Sequence, residues 1–320
     1  MTMRGTVYKS TGSWYQVKAD NGQFFNCRIK GKFRIQGIRS TNPVAVGDRV
    51  EFQPEDKGEE EINAVITGIA DRENYIIRKS VNLSKQTHII AANIDQVFLL
   101  VTLNNPTTHT TFIDRFLVTA EAYDVRAILL FNKIDSYGPE ELDEVRYLAA
   151  IYRKIGYRCI GISAKTGRSL QEVQQLMKDK TSMIAGHSGT GKSTLVNAIE
   201  PGLNLKTTEI SQQHRQGQHT TTFAEMFDLS FGARIIDTPG IKGFGVVDMD
   251  KEELGDYFPE FFALKQDCKF HNCLHLDEPG CAIKEALEAG EIPWSRYRSY
   301  LQILNEEEDQ QYRIENYDNP

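Results

Sequence analysis

Four short stretches carry residue types suited to holding a nucleotide. Gly186-His187-Ser188-Gly189-Thr190-Gly191-Lys192-Ser193 satisfies the spacing G-x-x-x-x-G-K-[ST] and runs on into Thr194. Glycines so placed let backbone N–H groups converge on phosphate oxygens at the start of a helix, whose dipole favours negative charge. Lys192 would reach the β- and γ-phosphates and Ser193 would ligate Mg²⁺. The pattern arises by chance in roughly 1% of chains this long, and its setting between TSMIA and STLVNAI gives it the strand and helix it needs.

Asn132-Lys133-Ile134-Asp135 follows the apolar segment Arg126–Phe131. An aspartate at Asp135 can accept hydrogen bonds from N1–H and the exocyclic amine of guanine, which adenine lacks, so the wrong base would leave buried polar groups unpaired. Ser163-Ala164-Lys165 ends the next strand-like segment, where it could buttress the base from the other side. Asp237-Thr238-Pro239-Gly240 ends a third. A D-x-x-G alone is common, and it counts here because of its place. Together the four point to a guanine-nucleotide site with Lys192 and Asp237 at its chemical centre.

These loops need strands and helices to bring them together, and the chain divides into three parts. Residues 1–70 read as five short strands, Gly5–Lys9, Trp14–Lys18, Phe24–Ile29, Arg49–Gln53 and Ile62–Ile69. Asn21-Gly22 is a hairpin signal because both residues tolerate positive φ. Five such strands fit an OB-like barrel. Residues 71–247 alternate strands (Asp95–Leu103, Arg126–Phe131, Tyr157–Ile162, Ser182–Ala185, Phe223–Leu229, Arg234–Ile236) with helices (Thr111–Tyr123, Glu140–Lys154, Ser169–Met177, Lys192–Ile199). That alternation implies an open α/β sheet with ligands at the carboxyl ends of its strands. Residues 248–320 hold a Cys/His cluster, helices at Ala282–Ala289 and Trp294–Leu304, and an acidic stretch from Glu306 that reads as a solvated terminus.

The order of the motifs is unusual: NKID, SAK, GHSGTGKS, a threonine-rich loop, then DTPG. In ordinary GTPases the phosphate loop comes first. A site assembled from strand-end loops survives circular permutation when the old termini lie close together. The permuted order, with an OB-like domain before it and a Cys/His cluster after it, resembles the ribosome small-subunit-dependent GTPase A family (RsgA, also called YjeQ) over essentially the whole chain. The resemblance implies a GTP hydrolase that binds the small (30S) ribosomal subunit, is stimulated by it, and acts late in its maturation. Two other readings are open to the residues: a GTPase switch with a protein client, and an RNA-binding scaffold using GTP as a structural ligand.

Arg215-Gln216-Gly217-Gln218-His219-Thr220-Thr221-Thr222 resembles the switch I of that family, with glutamines at 216 and 218 where its pattern is more basic. A threonine hydroxyl of such a loop completes the Mg²⁺ shell when the γ-phosphate is present. Ile241 follows DTPG, and an apolar side chain cannot orient a water nucleophile, so slow intrinsic hydrolysis is expected. His219 is the internal candidate for the missing group, since imidazole can accept a proton near neutral pH.

Cys268, Cys273 and Cys281 supply three thiolates, with His271 or His275 as the fourth ligand of a tetrahedral structural Zn²⁺. The family's C-x4-C-x-H-x5-C points to His275. One such ion per chain would supply folding energy rather than catalysis. Cys27 and Cys159 read as core residues. Arg28, Lys30, Lys32 and Arg34 share one parity along an extended segment and would form a basic stripe for rRNA, and Arg296 and Arg298 suggest a second small basic site.

The composition narrows the classes that fit. The chain has 320 residues, 40% hydrophobic and 25% charged, which is globular. Acids outnumber bases 44 to 37, so a uniformly basic nucleic-acid binder is excluded while a local basic patch is not. The apolar run Val97–Val101 is far short of the ~20 residues a membrane helix needs, and the first ten residues form no export signal. Five cysteines, three of them between 268 and 281, argue against a secreted disulfide framework. A cytoplasmic monomer that binds GTP and GDP and no membrane is expected.

Overall fold

The structure, a computed structural model, describes residues 2–29, 43–55, 63–79, 87–203, 224–237 and 249–317. The first five strands are β1 (Met3–Ser10), β2 (Tyr15–Ala19), β3 (Phe24–Ile29), β4 (Arg49–Pro54) and β5 (Asn63–Ile69). Each lies within two residues of its expected bounds. They pair in the order β1-β2-β3-β5-β4, and β4 returns to β1, so the five strands close into a barrel. Alternation fills it: Val7, Val17, Phe25, Cys27, Phe52 and Ile66 point inward and are buried, while Phe24, Asn26 and Arg28 point out. The hairpin at Asn21-Gly22 forms, with Gly22 at φ +88°.

An antiparallel hairpin that the sequence reading did not anticipate, β6 (Tyr75–Lys79) with β7 (Thr87–Ala92), leads out of the barrel. Arg72 fixes the junction with two 2.6 Å bonds to the fully buried carboxylate of Asp48. Gly47, at φ +93°, passes so close to Ala92 that a Cβ would stand 2.0 Å from its carbonyl oxygen, so only glycine fits.

The central unit then runs β8 (Gln96–Val101), α1 (Thr110–Ala122), β9 (Arg126–Phe131), α2 (Pro139–Ile155), β10 (Arg158–Gly161), α3 (Leu170–Met177), β11 (Thr181–Ala185), α4 (Lys192–Ile199), β12 (Glu225–Asp228) and β13 (Arg234–Asp237). The strand order is β10-β9-β8-β11-β13-β12. β8 and β11 are entirely buried, as expected for parallel strands covered by helices on both faces. Core clusters lie on each side of the sheet, one around Leu99, Phe116 and Tyr152, the other around Leu100, Val173 and Leu195. β12 also pairs with β1 at Glu225 and Lys9, so barrel and central sheet form one continuous run of eleven strands.

The C-terminal part comprises α5 (Lys251–Leu254), α6 (Pro259–Leu264), α7 (Ala282–Glu288) and α8 (Trp294–Tyr317). The backbone of α8 stays helical well past Leu304, through the acidic stretch expected to be a solvated terminus. Glu, Gln and Arg are good helix formers, and extending an existing helix avoids the cost of nucleation. Among the described residues no helix is long and apolar enough to cross a membrane.

Candidate functional site

The glycines of the phosphate loop are required by close approach. Gly186 has φ +141°, and a Cβ there would lie 2.8 Å from the Leu100 carbonyl oxygen and 2.9 Å from Thr190 Oγ1. Gly189 and Gly191 also have positive φ, and Gly191 opens α4. The loop is held by its own polar groups: the His187 carbonyl accepts from Thr190 Oγ1 at 2.9 Å and from Lys192 Nζ at 2.7 Å, and Gly186 O accepts a second bond from Lys192 Nζ at 2.7 Å. Thr190 is fully buried, whereas Ser188 and Thr194 are exposed and Ser193 is half-buried at the mouth.

Asn132, 2% exposed, joins the base and phosphate motifs. Its Nδ2 donates to Thr190 O at 2.8 Å, and its Oδ1 accepts from the Ala164 backbone N–H at 3.0 Å. NKID, SAK and the phosphate loop are therefore tied by one amide. Lys133, in the left-handed region at φ +67°, donates from Nζ to the Asn105 carbonyl. Ile134 packs into the core, turning Asp135 out to the surface. Ser163 is buried and its Oγ accepts from Thr166 N at 3.0 Å, while Lys165 is exposed.

Asp237 ends β13 beside Lys192. Burial pushes its carboxyl above the ordinary range, Lys192 opposes that, and Glu225 reinforces it. Burial likewise lowers Lys192, with Asp237 opposing. The two stabilise each other's charge in a partly dry site, and an anion brought to the loop would meet the ammonium. His187 stacks on Phe112 of α1 with centroids 3.8 Å apart, and burial, Lys192 and His109 lower its pKa. Phe112, Asn105 and Glu225 escaped sequence reading because each acts only through a residue distant in the chain. His219, the threonine-rich loop, Thr238-Pro239-Gly240 and Ile241 lie outside the described residues.

Cys268, Cys273, His275 and Cys281 bring their ligand atoms within 4.8 Å of one another, a group that could hold a metal ion. His275 presents Nδ1, at 3.7 Å from Cys268 Sγ and 3.4 Å from Cys281 Sγ. A tetrahedral Zn²⁺ with bonds of about 2.3 Å to sulfur and about 2.0 Å to nitrogen would space them by roughly 3.6 Å, so the donor set fits. Neighbouring groups hold the loop that carries these donors. His275 takes φ +57°, its carbonyl accepts from Tyr297 OH at 2.7 Å, and Glu278 accepts from the N–H groups of Leu274 and Leu276. His271 is exposed and is not part of the group.

One expectation about basic surfaces changes. Arg296 is not a surface cation: it is fully buried, donating to both oxygens of Glu260 and, from Nη1, to Asp114 at 2.7 Å. Asp114 also accepts from Tyr152 OH at 2.8 Å, so the network joins α1, α2, α6 and α8. Position 296 shares a helix face with Tyr300 and Ile303, which is what buries it. Arg298 is exposed. Of the stripe, Arg28 is on the outer face of the barrel with its guanidinium on both oxygens of Glu55 at 2.9 Å. Lys30, Lys32 and Arg34 lie outside the described residues.

Comparison with known proteins agrees with this arrangement. The family model described as RsgA GTPase matches residues 69–247, and that for the RsgA N-terminal domain matches residues 4–62. A protein of Christiangramia forsetii named small ribosomal subunit biogenesis GTPase RsgA is 75% identical, covering 98% of this chain and 99% of the relative. Its namesake in Flavobacterium psychrophilum is 62% identical, covering 98% and 96%. The crystal structure of YjeQ from Thermotoga maritima superposes with a TM-score of 0.78 at 37% identity, over 96% of this chain and 98% of that one. That of YloQ, described as a circularly permuted GTPase, gives 0.73 at 30% identity, over 97% and 96%. With family models matched over the barrel and the central unit, and a relative and a solved structure matched over nearly the whole chain, the chain belongs to the RsgA GTPase family.

Proposed function

We propose that the chain hydrolyses GTP to GDP and phosphate while bound to the small ribosomal subunit and acts late in that subunit's maturation. The observation that carries the reading is the amide of Asn132, which binds a guanine-type motif and a phosphate loop into one pocket mouth. In this reading Asp135 selects guanine, with Ala164 and Lys165 on the other side of the base. Lys192 and the loop N–H groups from Gly186 to Gly191 take the phosphates. Ser193 would hold Mg²⁺, whose charge would offset that of the β- and γ-phosphates. Asp237 balances the charge of Lys192. His219 activates water when the subunit is bound; His219→Ala then abolishes stimulated turnover and leaves GTP affinity unchanged.

The units 1–70, 71–247 and 248–320 divide the work. The barrel reads rRNA through Arg28, Lys30, Lys32 and Arg34, and the last unit is held together by Zn²⁺ on Cys268, Cys273, His275 and Cys281. The relatives' printed names and five cysteines that form no disulfide support a cytoplasmic factor, and we take it to act as a monomer.

GTP turnover measured alone, with purified small subunits, with large subunits and with free RNA tests the proposal. Stimulation by small subunits only is the expected result. Equal turnover in all four would overturn the subunit-triggered mechanism and point to a protein client.

A further inference from the structure

We infer that Lys9, on the first strand of the barrel, is a positioning residue for the GTP site, acting through Glu225 on Asp237 and Lys192. The inference rests on the GTP-site reading above. Lys9 stands opposite Glu225 in the β1–β12 register, and Glu225 stands opposite Asp237 in the β12–β13 register. Residues directly opposite in antiparallel strands present their side chains on the same face, so the three form a row across the seam between barrel and central sheet. Lys9 Nζ lies 3.0 Å from Glu225 Oε2. Asp237 in turn interacts with Lys192, so the row reads ammonium, carboxylate, carboxylate, ammonium.

As a stabilising contact the Lys9–Glu225 pair counts for little, because both side chains are partly exposed. Its field is another matter. Without Lys9, Glu225 becomes an uncompensated carboxylate beside Asp237, one extra negative charge next to a loop that must accept a polyphosphate. GTP, with one more phosphate than GDP, feels that charge more. The barrel thus contributes to nucleotide affinity without touching the nucleotide.

A second barrel contact supplies the control. Lys18 Nζ pairs with Asp228 Oδ2 at 2.5 Å, and Asp228 stands opposite Arg234, not Asp237. Lys18→Gln therefore loosens the same seam without adding charge next to Asp237.

The test is equilibrium binding of fluorescent GTP and GDP analogues with Mg²⁺ to the full-length chain, at low salt and at about 0.5 M salt, where screening acts within a few ångströms. Lys9→Gln is expected to weaken GTP three- to fivefold at low salt, GDP less, and neither at high salt. Lys9→Arg, and Lys9→Gln combined with Glu225→Gln, are expected to restore affinity, while Lys18→Gln binds as wild type. Wild-type affinity in Lys9→Gln at low salt, or equal weakening in Lys9→Gln and Lys18→Gln, would overturn the inference. A wild-type chain that bound neither analogue would overturn the GTP-site reading itself.

Discussion

Asn132 Nδ2 lies 2.8 Å from the carbonyl oxygen of Thr190, a residue 58 positions later in the chain. The contact is fully buried and spans the motif for the base and the loop for the phosphates. Because Oδ1 of the same amide also receives the Ala164 N–H, the relative position of three strand-end loops depends on one side chain.

Asn132→Ala is expected to leave the Thr190 carbonyl and the Ala164 N–H buried without partners, a cost of about 1–3 kcal/mol for each group. GTP and GDP affinity should both fall at least about tenfold, 1.4 kcal/mol per factor of ten, since both nucleotides use both loops. Asn132→Asp keeps the acceptor for Ala164 and sets a carboxylate against the Thr190 carbonyl, so it should not rescue. Urea unfolding with nucleotide titration checks both.

Arg296→Ala removes the cation shared by Asp114 and Glu260 and leaves Asp114 charged and dry. Breaking a buried pair in this way costs about 3–5 kcal/mol. Arg296→Lys is expected to recover little, because a single ammonium cannot hold Glu260 in a fork and reach Asp114 as well. Chemical denaturation followed by circular dichroism gives the comparison. A loss below about 1 kcal/mol, the value of a surface pair, would contradict the burial.

The cysteines fall into two classes that a thiol reagent separates. Burial pushes the Cys27 and Cys159 thiols up to about 12, so at pH 8 only about one in 10⁴ is a thiolate. Native protein with its metal should react slowly. Stripping the metal with a chelator is expected to release three thiols, Cys268, Cys273 and Cys281, and denaturant all five. Three reactive thiols before chelation would exclude a bound metal.

The raised Asp237 pKa predicts the acid side of the pH profile. Burial is the chief cause, Lys192 opposes it and Glu225 adds to it. The working form is the carboxylate, so turnover is full above this raised value and falls as pH drops through it. The acid limb of kcat/KM should therefore lie above the ordinary aspartate value of about 3.9. Glu225→Gln takes away the reinforcing charge and should move the limb to lower pH. An unmoved limb in that variant would show that Asp237 does not set it.

What was legible in the sequence was whatever a few neighbouring residues decide. A loop that must hold Gly186 at φ +141° and Gly191 at φ +99° requires glycine there, and the spacing to Lys192 follows from the helix it opens. Buried parallel strands read as apolar runs, so β8, β9 and β11 were visible. The Cys/His spacing likewise named its own ligands once the family pattern chose His275 over His271.

Long-range pairing had no such local trace. Arg296 beside Trp294 and Arg298 reads as a surface cation, and only the approach of α1 and α6 turns it into the centre of a buried network. The β6–β7 pairing left no such trace, because the sequence between the two strands, Ser-Val-Asn-Leu-Ser-Lys-Gln, holds no Asn-Gly or Asp-Gly signal. Local sequence is enough to mark the loops whose residue types suit phosphate, base and metal, because backbone conformation and ligand chemistry restrict residue type at each position. That Asn132 ties those loops together, that Lys9 of the barrel meets Glu225, and that Arg296 is buried come from the packing of distant segments. Each of those is a contact between residues far apart in the chain, set by strand order and helix packing.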